Sequence, residues 1–533
     1  MNAQLKSNAI QIDAPIEGWD AFHSLDNMPP TAAIVLDNII PYAGSVKSRE
    51  GYITYTDLGT DAPVETVASF NASDNSALVA ASAGGIWDIT NSALGEPAQF
   101  VNELAPPGTF NNNRWQTENF RKADEKGIMV MCNGNDPAQV FGDAGDTGTN
   151  TLTPLIDTEG VGTDFIGALS FKGRMYYWKD NDNAFYYSQA GSYQGELKKF
   201  DLGSFTQRGG KLVIAASWTQ QDSGDGKDDF IVFIFSTGEV LIYQGDDPET
   251  AGYWEFVGRY FMAEPLSIRG QTNYGADLII MTRDGYVNLA SIVQQGRTSD
   301  VPQFSRLIHN AINNITDFQP NLFFGWCVEL FAKKGLMVFN APLSNQTYEQ
   351  HVMSTITQRW CRFTGLNVIC LEIHDERMFA GANDGTVKAL LETTSDDGNP
   401  INYTCLYAFQ YLDAPGHNKM VTSAQVISTH SNPQFIQISG YADYQIPTLL
   451  PVQHPVAGDQ ATWSPMPAVP PEPEGSYWNE DYWAVQNSKF TTKGWQNCSA
   501  FGYAVSVLVR FALKYETIEW RSTGLRYHVA GAH

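Results

Sequence analysis

Short apolar segments separated by polar turns recur along most of the chain. In each unit an apolar segment leads into a turn that combines Gly with Asp or Asn, and a second alternating segment follows. Such turns are centred on Gly85, Gly134, Asn181, Gly238, Gly285, Gly335 and Gly385. Because Asp-Gly, Gly-Gly and Asn-Gly supply the positive φ angles of tight hairpins, each unit is predicted to be a β-hairpin.

The spacing of these turns indicates a repeat. Successive turns are separated by 49, 47, 57, 47, 50 and 50 residues, and the longest interval holds the polar insertion Thr219–Asp229. A repeat of about 50 residues matches a four-stranded propeller blade of the kelch size class. We therefore predict an all-β fold with a β-propeller of six to seven blades over residues 61–395. A β-sandwich or a solenoid with evenly spaced hairpins is the alternative.

The remaining segments predict an additional β platform or tip domain. Residues 1–60 are interpreted as an N-terminal arm with the first strands, and residues 396–490 as a β-rich tip with a Pro-rich loop. Residues 491–533 alternate apolar and polar positions, which predicts two long strands returning to the platform with a turn near Ser522–Gly524.

Composition narrows the function classes. The 533 residues include 33 basic and 58 acidic side chains, a net charge of −25, which argues against a surface that grips nucleic acid through its phosphates. The same charge could equally serve solubility at high salt.

No apolar run has the length of a bilayer span or a signal peptide, so we expect folding in a cytoplasm and no membrane insertion. The six scattered cysteines predict buried free thiols instead of a zinc site or disulfides.

Candidate chemistry is sparse, and no enzyme activity, metal or cofactor is expected. The acidic stretch Asp222–Asp229 lacks the spacing of a helical calcium loop and is interpreted as a solvated loop. His374, Asp375 and Glu376 form a tight polar cluster, but they lie between two predicted strands without a nucleophile motif, so a hairpin turn is expected there. The turn Ala382–Leu390 only partly resembles the Asp-box of sugar hydrolases.

The two ends of the chain resemble a known family. The N-terminal stretch Asn27–Tyr52 carries Met-Pro-Pro, then Leu-Asp-Asn at Leu36–Asn38, then Val-x-x-Arg-x-Gly-Tyr at Val46–Tyr52. Together with the first repeat unit and the terminal segment Ile518–His533, it resembles the tail nozzle proteins of short-tailed bacteriophages, also called phage stabilisation or tail tubular proteins. The segment Pro400–Gly494 departs from that family.

The resemblance implies a structural virion protein of the tail, assembled in the host cytoplasm. In that family six copies form a ring below the head-tail adaptor, extend the portal channel, retain genomic DNA and conduct it during ejection, and dock fibres or spikes. It also implies that the N-terminal segment leads into the first blade. An acidic conduit would let DNA pass without specific binding.

Two groups of residues are candidates for roles in such a ring. The acidic turns Asp246–Asp247 and Asp396–Asp397 are candidate channel-lining groups, on the strength of their charge. An inter-subunit arm would contain Met28, Pro29, Pro30, Ile34 and Leu36, in which the prolines hold the chain extended. The alternative is that Ile34–Ile40 packs as an outer strand on its own propeller.

Two rival functions remain open from the sequence. One is a carbohydrate-binding or glycan-hydrolysing propeller, with the loops Asp222–Asp229 and Trp463–Trp483 contacting host glycan. The other is a scaffold propeller that acts inside a bacterial cell.

Overall fold

The chain divides into two compact units in a computed structural model. The structure describes residues 7–72, 75–90, 102–123, 126–142, 150–219, 229–250, 252–295, 304–319, 322–430, 435–448, 490–492 and 494–532. The propeller unit comprises Ile53–Thr355 and Thr364–Leu390, and the platform unit comprises Met1–Tyr52, Ile356–Phe363 and Leu391–His533. The segments predicted separately as arm, tip and C-terminal strands thus belong to one unit.

The propeller unit contains seven sets of neighbouring antiparallel strands, which we number as blades 1 to 7 in chain order. Their strands are, for blade 1, Val64–Asn71, Ser76–Ser82, Gly85–Asp88 and Asn102–Ala105; for blade 2, Gln116–Arg121, Gly127–Cys132, Gln139–Gly142 and Thr151–Pro154; for blade 3, Phe165–Phe171, Arg174–Lys179, Ala184–Tyr187 and Lys198–Asp201; for blade 4, Leu212–Thr219, Asp229–Phe235, Glu239–Gly245 and Trp254–Phe261; for blade 5, Gln271–Tyr274, Asp277–Thr282 and Gly285–Asn288; for blade 6, Cys327–Phe331, Leu336–Pro342 and Tyr348–Ser354; and for blade 7, Val368–His374, Arg377–Ala382, Thr386–Thr393 and Gly51–Asp57.

The blades close into a ring. The first strand of each blade contacts the next blade, and the first strand of blade 7 contacts that of blade 1. First strands are therefore innermost, around the propeller axis. The β-propeller prediction is confirmed, with seven blades, and the sandwich and solenoid alternatives are wrong for this unit.

Six of the seven predicted turns join the second and third strands of a blade, but Gly335 does not. It follows the 3₁₀ turn Ala332–Lys334 and joins the first and second strands of blade 6, with a left-handed φ of 65°. The helices Leu289–Gln295 and His309–Asp317 follow the third strand of blade 5 and lengthen that repeat. The turns are therefore evenly spaced in sequence, although the Gly335 turn occupies a different position within its blade than the other six. Two further 3₁₀ turns are Gly203–Phe205 and Arg306–Ile308.

The N-terminal strand Gly51–Asp57 is the outermost strand of blade 7. The N-terminal segment thus completes the last blade before the chain enters the first blade at Val64. A strand from the start of the propeller that pairs with its end covers a sheet edge that would otherwise be open.

Aromatic side chains fill the space between adjacent blades. Phe185 of blade 3 stacks on Phe233 of blade 4, with ring centroids 4.8 Å apart and an interplanar angle of 4°. Tyr243 and Trp254 of blade 4 stack in the same core at 5.4 Å. Large rings suit the wedge between twisted sheets, which accounts for the aromatic share of the sequence.

The platform unit contains strands of two sheets, and most of these strands come from the two ends of the chain. The first sheet contains Asn8–Asp13, Ile39–Tyr42, Ser45–Ser48, His417–His430, Phe490–Thr492, Gln496–Gly502 and Ile518–Ala532. The second contains Gly18–Trp19, Ala32–Asp37, Trp360–Phe363, Ile401–Tyr407, Ile436–Ala442 and Val505–Leu513. Tyr407 of the second sheet packs edge-on against Trp520 of the first, with centroids 5.6 Å apart.

The candidate inter-subunit arm lies inside the platform unit. Strand Ala32–Asp37 pairs with Ile401–Tyr407 on one side, and with Gly18–Trp19 and Trp360–Phe363 on the other. Leu36 is fully buried, and Met28 packs with Ala32 and Ala408. Ile34 and Pro29 are half-buried, while Pro30 is exposed. The same chain therefore pairs with both edges of this strand, and a contact of Met28, Pro29, Pro30, Ile34 or Leu36 with a neighbouring subunit stays a prediction.

The turn predicted near Ser522–Gly524 is also wrong. These residues lie within the continuous strand Ile518–Ala532, and the preceding connection holds Tyr515 at a φ of 62°. Gly524 has a different reason to be glycine, since a Cβ there would approach Cη2 of Trp495 to 3.2 Å. The Pro-rich loop of the predicted tip lies outside the described residues.

Candidate functional site

The motif residues of the N-terminal stretch meet in a buried polar network of the platform unit. Arg49, only 1% exposed, donates through Nε to Oδ1 of Asn38 at 2.7 Å. Its Nη1 and Nη2 donate to the two carboxylate oxygens of Asp396 at 2.8 and 2.7 Å. Such a bidentate pair combines strong hydrogen bonds with a fixed geometry. We call Asn38, Arg49 and Asp396 the platform network.

The local backbone explains why these residue types are needed. Asn38 has a φ of 62°, a left-handed conformation that Asn tolerates better than most residues, and its side chain donates to the carbonyl of Asn402 at 2.7 Å. Gly51 passes so close to Ser395 that a Cβ would lie 2.1 Å from its carbonyl oxygen. The preceding Asp37 is held by Arg362, whose Nε donates to Oδ1 at 2.7 Å.

The C-terminal stretch that shares the family resemblance lies beside the N-terminal one. Trp520 pairs with Val46, and Glu519 pairs with Lys47, in adjacent antiparallel strands. Trp520 is 1% exposed, and its Nε1 donates to the carbonyl of Ser522 at 3.1 Å. One strand of the N-terminal stretch, Ser45–Ser48, is thus a neighbour of the C-terminal strand Ile518–Ala532 in one sheet.

The predicted acidic turn Asp396–Asp397 serves this network. The Asp396 carboxylate is neutralised by Arg49, and its side chain is 13% exposed. The Asp397 amide donates to the carbonyl of Tyr52 at 2.8 Å, with a φ of 48°. Asp396 therefore has a structural partner that accounts for its charge without a channel.

The axis of the propeller is crossed by one arginine. Arg269 precedes the first strand of blade 5, yet Nη1 donates to the carbonyl of Glu65 at 2.7 Å, and Nη2 donates to the carbonyl of Trp115 at 2.6 Å. Nη2 also reaches Oγ1 of Thr66 at 2.8 Å. In a ring of seven, blades 1 and 2 are each three steps from blade 5, so Arg269 spans the ring. At this level the axis is no wider than one side chain.

Three of the half-buried carboxylic acids on innermost strands have a raised pKa: Glu118 of blade 2, Glu329 of blade 6 and Glu372 of blade 7. Desolvation raises the pKa of Glu118 to about 7, although the Ser170 amide donates to it at 3.0 Å. Desolvation also raises the pKa of Glu329 to about 8, and the pKa of Glu372 is raised first by desolvation and then by Glu329. These groups hold protons far more readily than exposed carboxylates do.

A pocket of about 420 Å³ surrounds the other predicted acidic turn, Asp246–Asp247. The turn lies between the third and fourth strands of blade 4, away from the innermost strands. Asp247 accepts from Arg174 of blade 3 at 3.3 Å and from Oγ1 of Thr250 at 2.7 Å. Lys172 and Tyr253 complete its rim. We call this the blade 3/4 pocket.

The cluster His374, Asp375 and Glu376 is a hairpin turn, as predicted. Asp375 and Glu376 have φ angles of 47° and 57° and join the first two strands of blade 7. His374 is held by Ser69, with Nδ1 and Oγ 2.9 Å apart, and desolvation lowers its pKa. Except for Asp229, the stretch Asp222–Asp229 lies outside the described residues, as does the loop Trp463–Trp483.

All six cysteines are free and buried, which confirms the prediction from their spacing. Burial raises the pKa of Cys370 to about 11, so it is an inert thiol. Within the described ranges no three His, Cys, Asp or Glu side chains are grouped so as to hold a metal ion. No helix among those residues is long and apolar enough to cross a membrane.

Sequence reasoning missed Arg269 and the innermost carboxylates. A glutamate within the apolar runs CVELF and VICLEIH is a signal that could have identified Glu329 and Glu372. Arg269 offers no such signal, because its partners are remote in sequence.

Comparisons with known proteins bear on the fold alone. No family model matches the chain, and no curated protein matches it. Among solved structures it is similar to YCF48 from Cyanidioschyzon merolae, with 11% identity, 64% of this chain and 98% of that chain covered, and a TM-score of 0.38. It is also similar to BBS1N in complex with ARL6DN, with 10% identity, coverage of 65% and 99%, and a TM-score of 0.34. For the computationally designed Ika8 protein the identity is 12%, the coverage 63% and 99%, and the TM-score 0.33. At these scores the likenesses carry no argument about function, and the propeller assignment stands on the sheets described above.

Proposed function

We propose that this chain is a tail nozzle protein of a short-tailed bacteriophage. It is a non-enzymatic virion component, assembled in the host cytoplasm, of which six copies form a ring below the head-tail adaptor. The ring extends the portal channel, retains DNA until ejection and docks fibres or spikes.

The main support for the proposal is that residues of the two stretches that resemble the nozzle family lie next to one another in the folded chain. Asn38 and Arg49 belong to one buried network, and Val46 pairs with Trp520 from the opposite end of the chain. A chance likeness of two short stretches would not require them to be neighbours in one sheet. Their proximity supports a shared architecture of the platform unit.

The closed propeller axis supports a conduit formed between copies. Arg269 crosses the axis through hydrogen bonds to blades 1 and 2. A duplex therefore has no path through a single propeller, and a channel requires a ring of chains. Such a ring uses head-to-tail interfaces that close by rotation. The charge of −25 favours a lumen to which DNA does not adhere.

The test is the mass of the purified chain, alone and after mixing with portal-adaptor complexes, by light scattering and low-resolution imaging. We expect a six-fold ring near six times 58.9 kDa, formed by the chain alone or only on those complexes. The variant Arg49→Ala should lose the ring, while Lys47→Ala, two residues earlier, should retain it. A chain that stays monomeric with and without the complexes would contradict the proposal.

A further inference from the structure

The blade 3/4 pocket lies on the face that carries the turns between first and second strands. Lys172 belongs to the turn between the first two strands of blade 3, and Ala190 to the connection that follows its third strand. Asp246 and Tyr253 belong to the connection between the third and fourth strands of blade 4. Adjacent blades thus supply opposite walls, and the volume of about 420 Å³ is in the range of small-molecule sites.

One wall is an aromatic ring on a fixed backbone. Tyr253 is 62% exposed. Its amide donates to the carbonyl of Thr250 at 3.0 Å, and its carbonyl accepts from the Asp246 amide at 3.1 Å. Both the amide and the carbonyl of Tyr253 therefore make backbone hydrogen bonds. Because the Tyr253 backbone is already fixed, ligand binding does not have to pay for ordering it. An exposed tyrosine offers an apolar face with a polar end.

The floor is a constrained ion pair. Arg174 donates through Nε to the carbonyl of Asp246 at 2.9 Å and through Nη1 to the carbonyl of Ser188 at 3.1 Å. The third nitrogen, Nη2, lies 3.3 Å from Oδ1 of Asp247. Arg174 and Asp247 are 17% and 28% exposed, so both are accessible without being mobile.

The rim adds one donor and one acceptor. Lys172 and Asp246 are exposed, and no ion pair involves either side chain within the described residues. Lys172 is placed by a tight turn in which it and Gly173 have φ angles of 46° and 74°. The pocket therefore presents an ammonium, a carboxylate and an aromatic face around a neutral floor.

We propose that the blade 3/4 pocket binds a neutral pyranose unit of a saccharide. A pyranose has an apolar C–H face that fits the Tyr253 ring, and hydroxyl edges that both donate and accept. Asp246 can accept from two hydroxyls, and Lys172 can donate, as charge-assisted hydrogen bonds. The two carboxylates offset the two cations, so a phosphate gains no net attraction, and the ionised groups of the Arg174–Asp247 pair, although neutral in sum, exclude a purely apolar ligand. This site goes beyond the nozzle function and stands without it.

The first experiment is saturation-transfer-difference NMR on the full chain. The probes are methyl α-D-glucopyranoside, methyl α-D-mannopyranoside and methyl β-D-galactopyranoside at millimolar concentration, with inorganic phosphate as competitor. We expect transfer to the ring C–H protons of at least one glycoside, undiminished by phosphate. No transfer to any of the three, or loss of transfer on adding phosphate, would overturn the proposal.

Variants then locate the site. Tyr253→Ala should weaken binding about tenfold or more, because the stacking face is lost, while Tyr253→Phe should retain it. Asp246→Asn should weaken binding as well. Tyr515→Ala is the matched control, since Tyr515 is 65% exposed in the platform unit. Both tyrosines are exposed, so each variant should fold, which circular dichroism checks. Equal loss of binding in Tyr253→Ala and Tyr515→Ala would place the saccharide elsewhere and overturn the assignment.

Discussion

The two units of this chain are assembled in opposite ways. In the propeller unit nearly every sheet is formed by strands that follow one another in sequence. In the platform unit Asn8 pairs with Tyr527, and Val46 pairs with Trp520. Local pairings require only short loops to close, whereas pairings between the chain ends do not form until the long intervening segment has been brought back.

The interior of the two units differs as well. Adjacent blades of the propeller share apolar and aromatic cores, and one arginine crosses the axis. The platform unit buries Arg49 itself together with its carboxylate partner, whereas the buried Glu239 of the propeller unit pairs with Arg259, which is 25% exposed. Removing one partner of a buried ion pair leaves an uncompensated charge, so we expect the platform unit to be more sensitive to single polar substitutions.

The largest expected effect is that of Arg49→Ala. It leaves the Asp396 carboxylate and the Asn38 side chain without their partner, which should lower the free energy of unfolding by about 3–5 kcal/mol. Hydrogen exchange measured by mass spectrometry should show the loss in residues 391–430 and not in blades 1 to 4.

The control is Lys47→Ala, which removes an exposed cation two residues before Arg49, on the strand Ser45–Ser48. Its effect should stay within about 0.5 kcal/mol. If Arg49→Ala destabilised both units equally, the distinction between their interiors would be wrong.

The second prediction concerns Arg269→Ala in the propeller unit. The carbonyls of Glu65 and Trp115 and the Thr66 hydroxyl would lose a charged donor, and the free energy of unfolding should fall by about 2–3 kcal/mol. Exchange should rise in blades 1, 2 and 5, because these are the blades that Arg269 joins.

Arg269→Lys should recover part of this loss, since an ammonium can reach one or two of the same acceptors. Increased exchange confined to blade 5 would contradict the inference that Arg269 joins opposite sides of the ring.

The third prediction is a pH dependence of the propeller unit. Because the pKa of Glu118 is raised to about 7 in the folded state, the folded chain binds more protons than the unfolded chain between about pH 4.5 and pH 7. The contribution of Glu118 to stability is therefore fully present below about pH 4.5 and is lost as the pH rises through 7. Glu118→Gln should raise the melting temperature at pH 8 and change it little at pH 4.

Glu103→Gln is the control, because Glu103 is exposed on the outermost strand of blade 1. It should shift the melting temperature equally at both pH values. A Glu118→Gln variant that behaved in the same way would show that desolvation on the innermost strand is not the cause.

The smallest expected effect is that of Gly524→Ala in the platform unit. A Cβ at this strand position comes closest to the end of the Trp495 ring, which is 38% exposed and can shift, and meets Gln425 Oε1 at an ordinary 3.6 Å, so the change should cost less than about 1 kcal/mol. A much larger loss, measured by urea unfolding, would indicate the turn that the sequence pattern suggests.

The propeller was accessible from sequence because each hairpin carries its own turn residues. The number of blades could be predicted only as six or seven. The Gly335 turn keeps the spacing of 50 residues, but it joins the first and second strands of its blade and not the second and third. The platform unit was less predictable. Arg49 pairs with Asp396, and Val46 pairs with Trp520, but these residues are far apart in sequence and no repeat in the sequence indicates that they meet. The pairing of Ala32–Asp37 was missed for the same reason, since an apolar run with prolines does not reveal which strands pair with it.

The copy number of the chain in purified particles tests the nozzle proposal most directly. Particles would be isolated from lysed cultures of the strain that carries the gene, and the chain would be counted by quantitative mass spectrometry against isotope-labelled peptides. The proposal predicts six copies per particle, retained after the packaged DNA has been released. Absence of the chain from the particles, or a copy number not divisible by six, would contradict it.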